Sequence, residues 1–422
     1  MKGEYESKSV AKLLAVTMVF ALAFVAVGAI VTSDIDATGP APESSMVGDD
    51  FLKLEKDGVI TLEKDVTLTS KVNVSKDLKV ILNGHTINSN YSVFAIEGVT
   101  GSDGSHNGVG LYKDIDLAID GTVKGSAIIS KGMVVSNWYN PDCTLTVNGG
   151  TYEGSWGFLW YAPGGPNASS KSTISVSDAT INATDVGVWA SNGTHKSLVI
   201  TESTITSKDT GIYASTVITT TITNTTVNAD NSGVEIKAGE AIITNSKISG
   251  TYTLCTGELN NNGTGSGSAA LNINNAYNKD AGTTVTDVTV DKNTVITDKS
   301  KSNIPVQLAV GKNAKTNEDY LGNVSFTANN GITSNQISVV KVSVNPNDTR
   351  TITIGTSKVV IQDKVNDEVK IEAGTQLVID EAVTATGENA KIVINEGATL
   401  VVNESYSGPI DIVTKDGTTL SV

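Results

Sequence analysis

Short stretches of alternating apolar and polar residues recur along the chain and end at polar turn residues. Segments beginning at Ile174, Leu198, Thr221 and Ala241 read ISVSDATINATDVGVWA, LVITESTITSKDTGIYA, TITNTTVNADNSGVEI and AIITNSKISG. Val176, Ile200, Ile222 and Ile243 align at steps of 24, 22 and 21 residues, and Ile181, Ile205, Val227 and Ile248 align at the same steps. Gly187, Gly211 and Gly233 align as well, and an earlier stretch from Leu145, LTVNGGTYEGSWGF, fits with Val147, Tyr152 and Gly157. Near the C-terminus, VKIEAGTQLVI, KIVINEGATLVV and VTKDGTTLSV share Gly374, Gly397 and Gly417, followed by Leu377, Leu400 and Leu420. Alternation specifies strands whose every second side chain points inward. A short fixed step with no helical pattern predicts an all-β parallel solenoid, each coil covering the next. Asp and Asn fit the corners because they tolerate a left-handed backbone and bond locally.

The first residues break this pattern. Lys2, Lys8 and Lys12 precede an apolar run from Leu13 to Val31, which predicts an N-terminal hydrophobic helix. The order of basic, apolar and polar segments is that of a secretory signal, and the run is also long enough to span a bilayer. Residues 1–33 therefore read as a cleaved signal peptide or as an uncleaved membrane anchor through residues 13–31. Either places the rest at the cell surface or outside the cell. Residues 34–50, with Pro40 and Pro42, read as a linker. Residues 51–256 form the regular coils, 257–350 a less regular continuation with loops such as GELNNNGTGSGS, and 351–422 a short-coil solenoid.

Composition narrows the partners. The net charge is −15, and Arg350 is the only arginine. Such a surface repels nucleic acid, anionic lipid and polyanionic sugars, and it has no arginine cluster for phosphate. Cys143 and Cys255 lie about four coils apart, roughly 19 Å, beyond disulfide reach within the stack, so they read as two unpaired cysteines or as a bridge through flexible loops. His85, His106 and His195 lack the short spacing of a zinc site, and His85 reads as a turn residue.

The stretch ITLEKDVTLTSKVNVSKDLKVILNGHTI, from Ile60 to Ile87, resembles the first coils of pectate-lyase-like right-handed parallel β-helix proteins. The chain after its N-terminal segment is similar in style to adhesin-like surface proteins of prokaryotes. The resemblance implies a right-handed coil and two kinds of activity. One is non-catalytic presentation of a long β-face to glycans or to proteins of other cells. The other is secreted polysaccharide lyase or glycoside hydrolase chemistry. A third reading is a plain structural spacer.

Candidates for the chemistry follow from the alignment. Asp178 with Glu202, and Asp185 with Asp209, fall at matching positions of adjacent coils, so about 5 Å apart. That separation suits a retaining glycosidase pair or calcium. The next coil carries Asn224 and Asn231 in the same two rows, as ordinary turn ladders do. The polygalacturonase-type motifs of the fold are missing as a set, so the reading is a protein without catalytic residues, cofactor or metal site. Trp138, Trp156, Trp160, Tyr161, Trp189 and Tyr213 are the candidate ligand contacts, because outward aromatic rings on a flat β-face pack against sugar rings. Trp189 and Tyr213 each follow an aligned glycine by two residues and should stack. Sequons at Asn73, Asn90, Asn167, Asn182, Asn192, Asn224, Asn262, Asn323, Asn347 and Asn403 fit a glycosylated surface protein.

Overall fold

The structure is a computed structural model that describes residues 44–97, 114–162, 171–255, 259, 267–310, 323–332 and 336–341, with shorter stretches at 350–354, 368–371, 375–379, 383–384, 390–402, 406–407, 410–415 and 417–421. Residues 13–31 lie outside this set. No helix among the described residues is long and apolar enough to cross a membrane.

The chain is all-β and built from long parallel sheets, an arrangement consistent with a parallel β-helix. Each regular coil contributes to three ladders, here called faces. The first face runs from Val59–Thr61 through Thr144–Gly149, Thr173–Ser177, His195–Thr201, Val217–Thr223 and Gly239–Thr244 to Thr419–Ser421, 14 strands among the described residues. The second face includes Thr86–Ser89, Ala127–Ser130, Thr204–Ser207, Thr226–Ala229 and Lys247–Gly250. The third includes Phe94–Ile96, Met133–Trp138, Ile212–Ala214, Val234–Ile236 and Leu271–Asn274. Two long strands, Thr151–Ala162 and Thr180–Asn192, run through both second and third faces and join them into one sheet, of 18 strands among the described residues.

The register follows the sequence repeat. Val176 pairs with Ile200, Ile200 with Ile222 and Ile222 with Ile243. Ile181, Ile205, Val227 and Ile248 pair in the same way. All eight are buried and belong to one apolar core that extends through the described coils. Such stacking removes each apolar ladder from water only when a neighbouring coil is present. The first-face ladder continues through Val285–Val290, Asn323–Ala328, Arg350–Ile354 and Thr375–Ile379, so the less regular sequence keeps the same pairing.

Two local features explain the repeated turn residues. Asp178, Glu202, Asn224 and Asn245 occupy the corner between first and second faces with φ of 52°, 49°, 50° and 46°. The aligned glycines are needed for close approach. A Cβ on Gly211 would lie 2.3 Å from Val227 Cγ1 and 2.6 Å from the Gly233 carbonyl oxygen.

The folded part begins before residue 51. Ser44–Met46 pairs with Val66–Leu68, and the helix Gly48–Leu52 buries Phe51 against Phe94, with ring centroids 5.9 Å apart. Among the described residues, 267–270 lead into Leu271–Asn274, and 275–284, with the helix Asn278–Ala281, lead out of it.

Candidate functional site

On the third face, Phe158, Val188, Ile212, Val234 and Leu271 point into the core. The residues that follow them point the other way. Leu159, Trp189, Tyr213, Glu235, Asn272 and Gln307 make one outward row, in register from coil to coil. On an ordinary solenoid face this row would be solvated. Here all six are buried, with Trp189 3% and Tyr213 0% exposed.

The aromatic half of the layer is a second, smaller apolar cluster. Trp189 stacks on Tyr213, with centroids 3.8 Å apart and planes 12° apart, and Trp156 packs on Trp189 at 5.1 Å. Trp138 and Tyr161 pair at 5.8 Å, and Tyr139 meets the edge of Tyr161 at 5.0 Å. Trp138, Trp156 and Tyr161 are partly exposed, so they form the rim of a patch whose floor is Trp189 and Tyr213. Burial pushes the Tyr139 hydroxyl up to about 12, with Tyr161 adding to it. Trp160 stands apart from the patch: it belongs to the main core, and its Nε1 donates to the Cys143 carbonyl oxygen at 3.2 Å.

The polar half was not anticipated. Glu235 and Lys237 are both fully buried, with Lys237 Nζ 3.0 Å from Glu235 Oε1. Lys237 Nζ also donates to the Leu259 carbonyl oxygen at 3.2 Å and lies over the rings of Tyr213 and Tyr277, 5.0 and 5.8 Å from their centroids. Burial raises the Glu235 carboxyl and lowers the Lys237 ammonium, each opposed by the other's charge. Glu235 Oε2 has no hydrogen-bond partner among the described residues. The signal was present in the sequence, since Glu235 follows Gly233 by the same two residues that separate Trp189 from Gly187 and Tyr213 from Gly211. The layer is covered by the long connections: Cys255 N donates to Gln307 Oε1 at 2.9 Å, and Tyr277 N to the Lys237 carbonyl oxygen.

The four candidate carboxylates divide between two corners. Asp178 and Glu202 are exposed in the left-handed corner between the first and second faces, where the backbone bends. Asp185 and Asp209 lie between the second and third faces, beside the aromatic patch. Asp209 N donates to the Asp185 carbonyl oxygen at 3.0 Å, and Asn231 Nδ2 to Asp209 Oδ1 at 2.9 Å. Burial raises the Asp209 carboxyl, the Asn231 bond opposes that, and the Asp185 charge adds to it. Thus Asp185 and Asp209 flank the aromatic patch, whereas Asp178 and Glu202 belong to a different edge. No group of three or more His, Cys, Asp and Glu side chains among the described residues is arranged to hold a metal ion.

The remaining polar candidates sit in structural roles. His195 is buried, its Nε2 donates to the Ser191 carbonyl oxygen at 3.0 Å, and burial pulls its pKa down to about 4. His85 lies in a turn, its Nδ1 3.4 Å from Asp65. Cys143 and Cys255 are both buried and are not joined in a disulfide. Compared with known proteins, the chain matches no family model, and neither a curated protein nor a solved structure matches it significantly.

Proposed function

We propose that this chain is an exported, adhesin-like surface protein whose right-handed parallel β-helix holds a glycan-binding patch and performs no chemistry on what it binds. The observation that carries this reading is the partly exposed rim of Trp138, Trp156 and Tyr161 laid over the buried Trp189–Tyr213 stack. Rings fixed from below lose little freedom on binding, and their faces complement the apolar faces of sugar rings. The basic-then-apolar start of the chain supports export, with residues 13–31 either removed or kept in the membrane. Glycans of another cell or of the envelope are the partners that suit an acidic surface with one arginine. Trp156→Ala should weaken retention on a polysaccharide column about tenfold or more, while the variant still unfolds in one cooperative thermal transition, at a midpoint lowered by the lost packing on Trp189. Equal retention of wild type and variant would sink the assignment.

A second reading is polysaccharide cleavage, with Asp185 and Asp209 as acid and base and calcium as an optional partner. The raised, half-buried carboxyl of Asp209 beside the patch favours it. Asp209→Asn and Asp185→Asn would then abolish chain shortening without loss of binding. A wild-type chain that never shortens any polymer removes this reading.

A further inference from the structure

One turn at the edge of the aromatic patch holds a residue in a backbone conformation that its type disfavours. Tyr139 has φ of 61°, in the left-handed region, where a bulky aromatic side chain is an outlier. Every other non-glycine residue with positive φ among the described residues is Asp, Asn or Glu. Such a conformation persists only where the surroundings impose it, and it points to a place where the position of the side chain matters. The ring so placed meets the edge of Tyr161 in the next coil. We infer that Tyr139 and Tyr161 are an oxidative cross-linking site, at which peroxide and a peroxidase join the two rings as dityrosine and staple one coil to the next. The inference does not depend on the glycan-binding reading.

Buried amides impose the turn. Asn137 Nδ2 donates to the Asn140 carbonyl oxygen at 2.9 Å, and Asn140 N donates to Asn137 Oδ1 at 3.2 Å. Asn140 Nδ2 donates to the Trp138 carbonyl oxygen at 2.9 Å and to the Ile96 carbonyl oxygen, one coil back, at 2.8 Å. Both asparagines are fully buried. Within this frame Tyr139 N donates to the Tyr161 carbonyl oxygen at 2.7 Å, extending the ladder in which Trp138 pairs with Tyr161. The two rings stand edge to face, with centroids 5.0 Å and planes 74° apart, and the Tyr139 hydroxyl is hydrogen-bonded to that of Tyr161. The ring carbons that couple in dityrosine are ortho to the hydroxyl, so this bond brings them together as well. Trp138 packs on both rings, with centroids 6.4 and 5.8 Å away, and limits their rotation. Both tyrosines are partly exposed, so a dissolved oxidant reaches them.

The step balances with hydrogen peroxide as the oxidant. Each phenol gives up one proton and one electron, and the peroxide that takes up both pairs leaves as two molecules of water. The two phenoxyl radicals form one Cε–Cε bond. The hydrogens on those carbons then move to the phenoxyl oxygens, and both rings regain aromaticity. The hydrogen bond gives the departing phenol proton an acceptor, so proton and electron leave together. Other tyrosines near the patch or exposed lack one requirement each. Tyr152 is buried, and its hydroxyl donates to the Gly149 carbonyl oxygen at 2.8 Å. Tyr213 is fully buried under its stack with Trp189. Tyr91 is 57% exposed but has no aromatic neighbour among the described residues. The product closes a covalent loop between residues 139 and 161, which restricts the unfolded chain as a disulfide does.

The test treats the full-length chain, dilute and in detergent, with peroxide and a peroxidase, at a dose that couples free tyrosine in a parallel tube. Cleavage after lysine and glutamate leaves Tyr139 on the peptide Gly132–Glu153 and Tyr161 on Gly154–Lys171. Mass spectrometry should find these two joined, lighter than their sum by two hydrogens, with the bond at Tyr139 and Tyr161, and the treated chain should show dityrosine fluorescence. The same dose on chain unfolded in urea should give the joined pair in about tenfold lower yield, because the rings are no longer held together. Tyr139→Phe and Tyr161→Phe should each abolish it, and Tyr91→Phe should leave it unchanged. The linked chain should unfold at a midpoint a few degrees higher than the untreated chain. No joined peptide in folded wild type, an equal yield in urea, or a link that survives in Tyr139→Phe would overturn the assignment. Cross-links found only at other tyrosines, or only between chains, would overturn it as well. None of these results bears on retention by polysaccharide, so the glycan reading stands or falls separately.

Discussion

The first and third faces share one interior and have opposite exteriors. Inward, both present the same kind of ladder: Val176, Ile200, Ile222 and Ile243 on the first face, and Val188, Ile212 and Val234 on the third. Outward, the first face carries Thr146, Ser175, Val199 and Thr221 in register, all partly exposed. The third carries Leu159, Trp189, Tyr213 and Glu235, all buried, the first three packed with Trp138, Trp156 and Tyr161. Stacking of the inner ladders is sufficient to build a coil, so the outer row is free to vary. A coil that covers its outer row with aromatic rings and a buried ion pair does so at a cost in desolvation that the fold does not require. That cost marks the third face as the specialised one.

The sharpest way to break the comparison is to unpair the buried charges. Lys237→Met leaves the Glu235 carboxyl alone in a dry layer and should destabilise the chain by about 3–5 kcal/mol. Replacing both, Glu235→Leu with Lys237→Met, should recover most of that loss; paired urea titrations decide it. A loss in the double variant as large as in the single would mean that the layer depends on packing rather than on charge.

Next in size is a pH effect from His195. Its folded pKa is about 4, against 6.5 unperturbed, because burial disfavours the imidazolium. The unfolded chain therefore binds the proton first. Stability from this group is fully present above about pH 6.5 and is lost as pH falls toward 4, by up to about 3 kcal/mol. His195→Gln should flatten the acid limb of a stability–pH curve in that window, and an unchanged limb would contradict the assignment.

Gly211→Ala should cost about 1–3 kcal/mol, because the added methyl meets Val227 and the Gly233 carbonyl. Thr221→Ala on the first-face exterior should stay within about 0.5 kcal/mol. A change of the opposite sign sharpens the picture of the interior. Thr220 is buried on the first face and its hydroxyl has no hydrogen-bond partner among the described residues. Thr220→Val removes an unmet polar group without changing shape and should raise stability by about 1 kcal/mol, read as an upward shift of the thermal midpoint.

The parts of this molecule that were legible from sequence are those that the interior dictates. Val176, Ile200, Ile222 and Ile243 had to align because a one-residue slip would turn the whole ladder outward. The left-handed corner at Asp178, Glu202, Asn224 and Asn245 was legible in the same way. The stacking of Trp189 on Tyr213 followed from the glycine register. Their burial did not follow, because it depends on which rings and side chains from other coils, Trp156 on Trp189 and Lys237 over Tyr213, pack on them from outside, and no local pattern specifies that. Trp160 was grouped with the outward rings by its proximity in sequence, yet it falls on the inward parity of its strand. Glu235 and Lys237 looked like ordinary surface charges in VEIKA, although the repeat register already placed Glu235 beside Tyr213.

The most direct test of the account incubates the full-length chain with a panel of uncharged polysaccharides and follows two quantities together, retention of the protein and length of the polymer. The account predicts retention on at least one polymer, loss of that retention in Trp156→Ala, and no shortening of the polymer. Shortened polymer would contradict it and turn attention to Asp185 and Asp209, and absence of retention on every polymer would contradict it outright.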